Sequence, residues 1–235
     1  MIKAIKQINK LLVKQFGIPP RAEKLPKPID LLIATILSQN TNDTNSYKAY
    51  QNLRKKYPTW EDARKAKRVS IEKEIKIAGL GLQKSKAIKN LLTELHKKEK
   101  SYSLSRVTKA TSKEAIEYLT KFNGIGVKTA SCVLLFALDR DICPVDTHVH
   151  RTLNRIGLVK TKTPDKTFLE INENFPPKIA HSFHTNLIRL GREYCTPKNY
   201  KCGKCPLKSI CKFEDKIINN NSVNSKKSFM LLDSV

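Results

Sequence analysis

Apolar residues recur along this chain at helical spacing almost throughout. Residues 2–16, MIKAIKQINKLLVKQF with its first methionine set aside, place Ile2, Ile5, Ile8, Leu12 and Phe16 on one face and lysines on the others, the pattern of an amphipathic helix. Residues 29–39, IDLLIATILSQ, are apolar on nearly every face. A more polar helix is expected over 44–56 and is broken by Pro58. Two more, 70–77 and 84–97, are separated by Gly79 and Gly81, and another pair, 112–121 and 127–138, by Gly124 and Gly126. Beyond the DICP break, helices are expected over 147–157, 165–174 and, after Pro176 and Pro177, 178–191. No stretch alternates convincingly as a strand. The pattern predicts an all-α fold with short connections.

Two segments echo each other. Residues 78–87 read AGLGLQKSKA and residues 123–130 read NGIGVKTA, so the same helix, G-x-G, basic residue, helix arrangement is used twice. From about 214 to 235 the chain turns polar and low in complexity (NNNSVNSKK), and a disordered tail is expected there.

Charge adds a partner to this picture. Lys plus Arg number 45 against 21 Asp plus Glu, a net charge of +24. Such an excess repels itself in a compact fold and points to a polyanion, with nucleic acid the leading candidate. The longest apolar stretch, within 130–138, is far short of the roughly 20 residues a membrane span needs. Lysines interrupt the first helix too often for a secretory leader, so a cytoplasmic, thiol-reducing setting is expected.

The segment FNGIGVKTASCVLLFAL, residues 122–138, carries the first candidate chemistry. Glycines at 124 and 126 allow a tight turn and close approach of a ligand, and the amides opening the next helix suit a phosphate. The P-loop spacing is absent, which excludes a nucleotide triphosphatase of that type. Lys128 stands on the first helical turn, where its charge opposes the helix dipole. On the local stretch alone it is either a phosphate clamp or an amine nucleophile with a lowered pKa. Asp146, in CPVDTHVHR at 143–151, reads first as a helix N-cap. The helix from Lys128 to Leu138 rises roughly 16 Å. Seven extended residues can span about 23 Å, so the chain can bring Asp146 back to the lysine end. There it could move protons or stabilise a cationic sugar. His148 and His150 are two apart on a helix, point to different sides and are not read as a joint metal site.

Cys195, Cys202, Cys205 and Cys211 are spaced C-x6-C-x2-C-x5-C, read as a metal site; thiolate chemistry alone leaves zinc and iron–sulfur open. Lys198, Lys201, Lys204, Lys208 and Lys212 thread this loop without an acid between Cys195 and Lys212, a surface suited to phosphates. Cys132 reads as a core residue, and no role follows from the sequence for Cys143.

Taken together, FNGIGVKTA, VDTHVHR, GREYC with the cysteine spacing, and ILSQNTND at 36–43 make the chain resemble the endonuclease III family of helix-hairpin-helix DNA glycosylases and AP lyases. The resemblance runs from about residue 29 to 212. It implies two helical domains flanking a DNA-binding cleft: a six-helix barrel over 30–140 containing the hairpins, and an iron–sulfur domain joining 1–29 to 141–213. It implies Lys128 as catalytic nucleophile, Asp146 as catalytic carboxylate, and a [4Fe-4S] cluster on the four cysteines. Gly124, Gly126, Thr129, Lys201 and Lys204 are implied at the DNA, with Gln39 or Asn40 filling the gap left by a flipped base. Asn123 stands where the family usually has proline, and Asn40 where it usually has glutamine. The expected activity is excision of damaged bases, oxidised pyrimidines foremost, from double-stranded DNA and nicking at abasic sites, by a monomer. A mismatch thymine or uracil glycosylase, a methylcytosine glycosylase, and a DNA-binding module without catalysis are the alternatives.

Overall fold

A computed structural model describes residues 1–216. The helices, in chain order, are α1 (Ile2–Phe16), α2 (Pro28–Ser38), α3 (Asp43–Lys56), α4 (Trp60–Lys65), α5 (Arg68–Ile75), α6 (Gly81–Glu99), α7 (Ser105–Lys109), α8 (Ser112–Leu119), α9 (Val127–Phe136), α10 (Thr147–Ile156), α11 (Pro164–Asn172) and α12 (Ala180–Glu193). Short 3-10 turns occur at Lys76–Ala78 and Cys202–Lys204. No strand occurs among the described residues, and none of their helices is long and apolar enough to cross a membrane. Residues 217–235, most of the tail expected to be disordered, lie outside the described residues.

The described residues divide into two compact units, one of Met1–Arg21 with residues 140–216, the other of Ala22–Asp139. Residues 22–29 thus group with the hairpins rather than with α1. In the hairpin unit, α2 and α9 form the centre. Every residue from Leu31 to Leu37 and from Thr129 to Phe136 is buried, and the two helices pack against each other. A helix apolar on all faces has no solvent side, so it must lie inside. Helices α3 and α6 pack on α2 and α8 packs on α9, and α6 buries the stripe Ile88, Leu91, Leu92 and Leu95. Polar side chains fix their ends. Thr59 and Thr111 close capping boxes with Asp62 and Glu114, and Trp60 Nε1 donates to Asp30 Oδ1 (2.7 Å).

In the other unit, α1 buries Ile5, Ile8 and Leu12 against α12, and α12 packs on α10. Gly191 permits that second contact, since a Cβ there would lie 2.9 Å from the His148 Cβ. Helix α12 begins at Ala180, not at 178. Lys178 takes a left-handed φ of 63°, and its N–H donates to Asp141 Oδ1 (2.6 Å). Helices α4 and α7 go unpredicted from the sequence, because six and five residues are too few to show a period.

Gly124 is the glycine on which the hairpin unit depends most. Its φ is +84°, and an added Cβ would meet the Ala87 Cβ of α6 at 2.9 Å. Gly124→Ala is expected to cost about 1–3 kcal/mol from the forced φ alone, and the contact with α6 adds to it. Denaturant unfolding checks this; an unchanged midpoint would contradict it.

Candidate active site

The second hairpin delivers Lys128. After α8 the chain turns through Phe122 and Ile125, the Ile125 N–H donating to Phe122 O (3.1 Å), and Gly124 completes the turn. Gly126 is the N-cap of α9. Its φ of −95° is one any residue adopts, so it is not there for a left-handed turn. What its missing side chain leaves is room: nothing lies within 4 Å of where a Cβ would stand. No side-chain oxygen caps this helix and no acid sits in its first turn. The first-turn amides of α9 therefore open toward the space beside Gly126, the arrangement that accepts an anion. Lys128 is half-buried on that turn.

The end of α2 is tied to the same hairpin. Gln39 Nε2 donates to Gly124 O (3.1 Å) and to Thr129 Oγ1 (3.2 Å). Gln39 is thus turned inward, and Thr129 is buried with its hydroxyl engaged. Of these two residues expected at the DNA, Thr129 keeps only its first-turn amide to offer a phosphate. Asn40 is exposed and takes a left-handed φ of 50°, a conformation asparagine tolerates better than most residues. The turn after α2 thus separates two neighbours whose roles the residue spacing leaves equivalent.

The first hairpin has the same plan with different chemistry. Gly79 (φ 69°) and Leu80 (φ 51°) turn the chain, and α6 starts at Gly81. Leu80 and Leu82 are exposed, while Lys84 is 2% exposed. Its Nζ donates to Leu37 O and Ala78 O, both at 2.8 Å. Burial draws the Lys84 pKa down to about 8. Sequence reasoning missed this residue, whose only signal was a lysine three positions past the second glycine of a G-x-G turn.

Asp146 belongs to the other unit. It caps α10, its Oδ1 accepting the Val149 N–H (2.8 Å), and is half-buried. The two histidines after it diverge. His150 Nδ1 meets Thr167 Oγ1 on α11 (2.7 Å), whereas His148 Nδ1 lies 3.2 Å from Arg151 and its ring packs at Gly191 of α12. Burial lowers the His148 pKa against the opposing pull of Asp146.

Helix α10 also holds the cysteine loop. Arg151 Nε donates to Cys195 O (2.9 Å) and its Nη2 to Gly191 O (2.8 Å). Arg155 donates to Thr196 O (2.7 Å), lies 3.6 Å from Cys195 Sγ, and stacks on the rings of Tyr200 and Phe213. All four cysteines of the spacing are without disulfides and line one cavity of ≈ 20 Å³, together with Arg155, Leu190 and Leu207 among others. Burial, with the neighbouring sulfurs of Cys195, Cys211 and Cys202, pushes the Cys205 thiol up to about 12, against a hydrogen bond from the Leu207 backbone. Among the described residues no group of three or more Cys, His, Asp or Glu side chains is arranged to hold a metal ion. The thiols therefore surround a common cavity without forming a closed ligand shell. As a donor set, four cysteines lining one cavity with no acid beside them fit a soft, thiolate-bound centre whose positive charge would offset that of the four thiolates. Lys204 is exposed on this loop and Lys201 half-buried.

Residues 33–177 match the HhH-GPD superfamily base excision DNA repair protein family. Endonuclease III of Thermotoga maritima is 35% identical over 209 residues, covering 89% of this chain and 92% of that protein. A solved non-covalent endonuclease III–DNA complex superposes with a TM-score of 0.75 at 26% identity, covering 89% of this chain and 94% of that one. A trapped endonuclease III–DNA covalent intermediate gives the same TM-score and identity over 95% of its chain. With its glycine-opened lysine helix, capped aspartate and cysteine loop, the chain belongs to the HhH-GPD superfamily, among the endonuclease III-like DNA glycosylases and AP lyases.

Proposed function

We propose that this protein excises oxidised pyrimidines from double-stranded DNA and then cuts the strand by β-elimination, acting as a bifunctional glycosylase and AP lyase. The observation that carries the reading is the junction of α2 and α9, where an exposed turn residue, an open glycine-capped helix start and a first-turn lysine are joined through Gln39.

Backbone phosphates are received at the first-turn amides of α9, where Gly126 leaves room for them. Lysines of a chain with net charge +24 supply most of the affinity, which therefore falls steeply with salt. The damaged nucleotide is extruded, because its sugar carbon is unreachable in the stack. Asn40 fills the vacated position. The neutral amine of Lys128 attacks C1′; the Nζ–C1′ bond forms as the glycosidic bond breaks, and the base leaves with the bonding pair and takes up a proton. Asp146 accepts the proton released from the lysine nitrogen and stabilises the positive charge on the sugar. Ring opening gives an iminium between Nζ and C1′. Loss of a C2′ proton then expels the 3′ phosphate, and water releases the lysine.

Cys195, Cys202, Cys205 and Cys211 would hold a [4Fe-4S] cluster, supported by their spacing, their common cavity and their lack of competing disulfides. Bound there, it would supply order to the lysine-bearing loop and no electrons to the reaction.

Borohydride is expected to trap wild-type protein on abasic-site DNA, and Lys128→Ala to lower strand cleavage by at least about 10³-fold. Cleavage with no trapped adduct would overturn the lyase mechanism. Asn40→Ala should slow excision from duplex about tenfold, a loss of ~1.4 kcal/mol in the transition state. Gln39→Ala should instead lower stability by about 1–2 kcal/mol through its two lost hydrogen bonds. Single-turnover kinetics and denaturant melts separate the two, and the reverse pattern would make Gln39 the inserting residue. Purified protein should be yellow-brown, with iron and acid-labile sulfide in equal amounts, and Cys205→Ser should lose both. A colourless, zinc-loaded sample would reject the cluster.

A further inference from the structure

A buried lysine needs a reason. Taking an ammonium group out of water is costly, and an apolar side chain of similar length would fill the same space without that cost. Lys84 is 2% exposed, in the wall formed by α6 against α2 and the Lys76–Ala78 turn. Its two partners share one property: each is a carbonyl at the end of a helical element. Leu37 is the last residue but one of α2, and Ala78 closes the 3-10 turn. Carbonyls at helix ends lack intrahelical donors and carry the negative end of the helix dipole. Helix α2 has no basic residue in its own last turn, so the cation that its end calls for comes from α6.

The course of the chain past Leu37 gives this bond a purpose. Two residues later Gln39 leaves the helix with an extended ψ of 129°, and Asn40 turns left-handed. From the second hairpin, Gly124 O and Thr129 Oγ1 hold the Gln39 side chain. The turn that displays Asn40 is thus gripped by both hairpins. Lys84 holds the helix end on the near side, and the Gln39 link holds the turn on the far side. Driving a side chain into a base stack costs a few kcal/mol, and ordering a loose loop at that moment would add to it. A turn fixed beforehand avoids the second cost.

We propose that Lys84 is a positioning residue that pre-sets the Asn40 turn for insertion into DNA, acting through the carbonyl end of α2; this rests on Asn40 being the inserting residue. The role is absent from the second hairpin, whose lysine stands on the first turn of its helix.

A double-mutant cycle tests it. Lys84→Met removes both hydrogen bonds while keeping an unbranched side chain that fills most of the same space. Excision of an oxidised pyrimidine from duplex is measured under single turnover for wild type, Lys84→Met, Asn40→Ala and the double variant. Lys84→Met is expected to slow excision about tenfold (~1.4 kcal/mol). The double variant should be no slower than Asn40→Ala, because residues that act through one another are non-additive. β-Elimination on a single-stranded abasic oligonucleotide, where no gap needs filling, should stay at the wild-type rate in Lys84→Met. Additive losses, a silent Lys84→Met, or an equal loss on the single strand would overturn the positioning role while leaving the glycosylase reading intact. Wild-type excision by Asn40→Ala would overturn the inserting role and this proposal together, and a wild type that excises nothing would overturn the glycosylase reading itself. Should Lys84→Met not fold, the cycle is run with Lys84→Gln, one bond shorter and unable to hold both carbonyls.

Discussion

Two helices with no polar face set the terms for the hairpin unit. Because α2 and α9 are buried along their lengths, only their ends can carry polar chemistry. Their side-by-side packing brings the C-terminus of α2 next to the N-terminus of α9, and the Gln39 bonds to Gly124 and Thr129 join the two ends. One end has carbonyls to satisfy and the other has amides to offer. Lys84 answers the first need from inside the protein, and a DNA phosphate answers the second from outside in the proposed reaction. The candidate chemistry lies at these ends because nowhere else along the two helices meets solvent.

The other unit applies the same economy to a single helix. The first turn of α10 is capped by Asp146, whose carboxylate accepts the Val149 N–H, while its later turns hold the cysteine loop through Arg151 and Arg155. A carboxylate that caps a helix is fixed in direction by the amide it accepts. Its position is therefore as definite as the packing of α10 on α12, which Gly191 makes close. The cysteine loop in turn runs against the end of α10, where the Lys212 N–H donates to Ile156 O (3.1 Å).

Much of this was legible in the residues. The apolar runs at 29–39 and 127–138 marked two helices, although their packing against each other at the centre was not read from the residues. The two G-x-G turns marked both hairpins, and the cysteine spacing marked the loop. The distinctions within these motifs were not legible. Gly124 and Gly126 read alike, yet one is required by its φ and by Ala87, while the protein's own packing leaves open space at the other. Gln39 and Asn40 are adjacent and chemically similar, and only the course of the chain past Leu37 turns one inward and the other out. Lys84 and Lys128 each come after a G-x-G turn, but a shift of one position around the helix sends the first into the core and leaves the second half-buried on the first turn. Such choices are made by three-dimensional packing, which residue spacing does not record.

The central claim is that the lysine at the start of α9 is the amine that bonds to DNA. The most direct measurement is peptide mapping by mass spectrometry of the borohydride-reduced adduct formed by the wild-type protein on abasic-site DNA. The account predicts the sugar fragment on Lys128. Attachment to the amine of Met1, to Lys84 or to a lysine of the cysteine loop would contradict it.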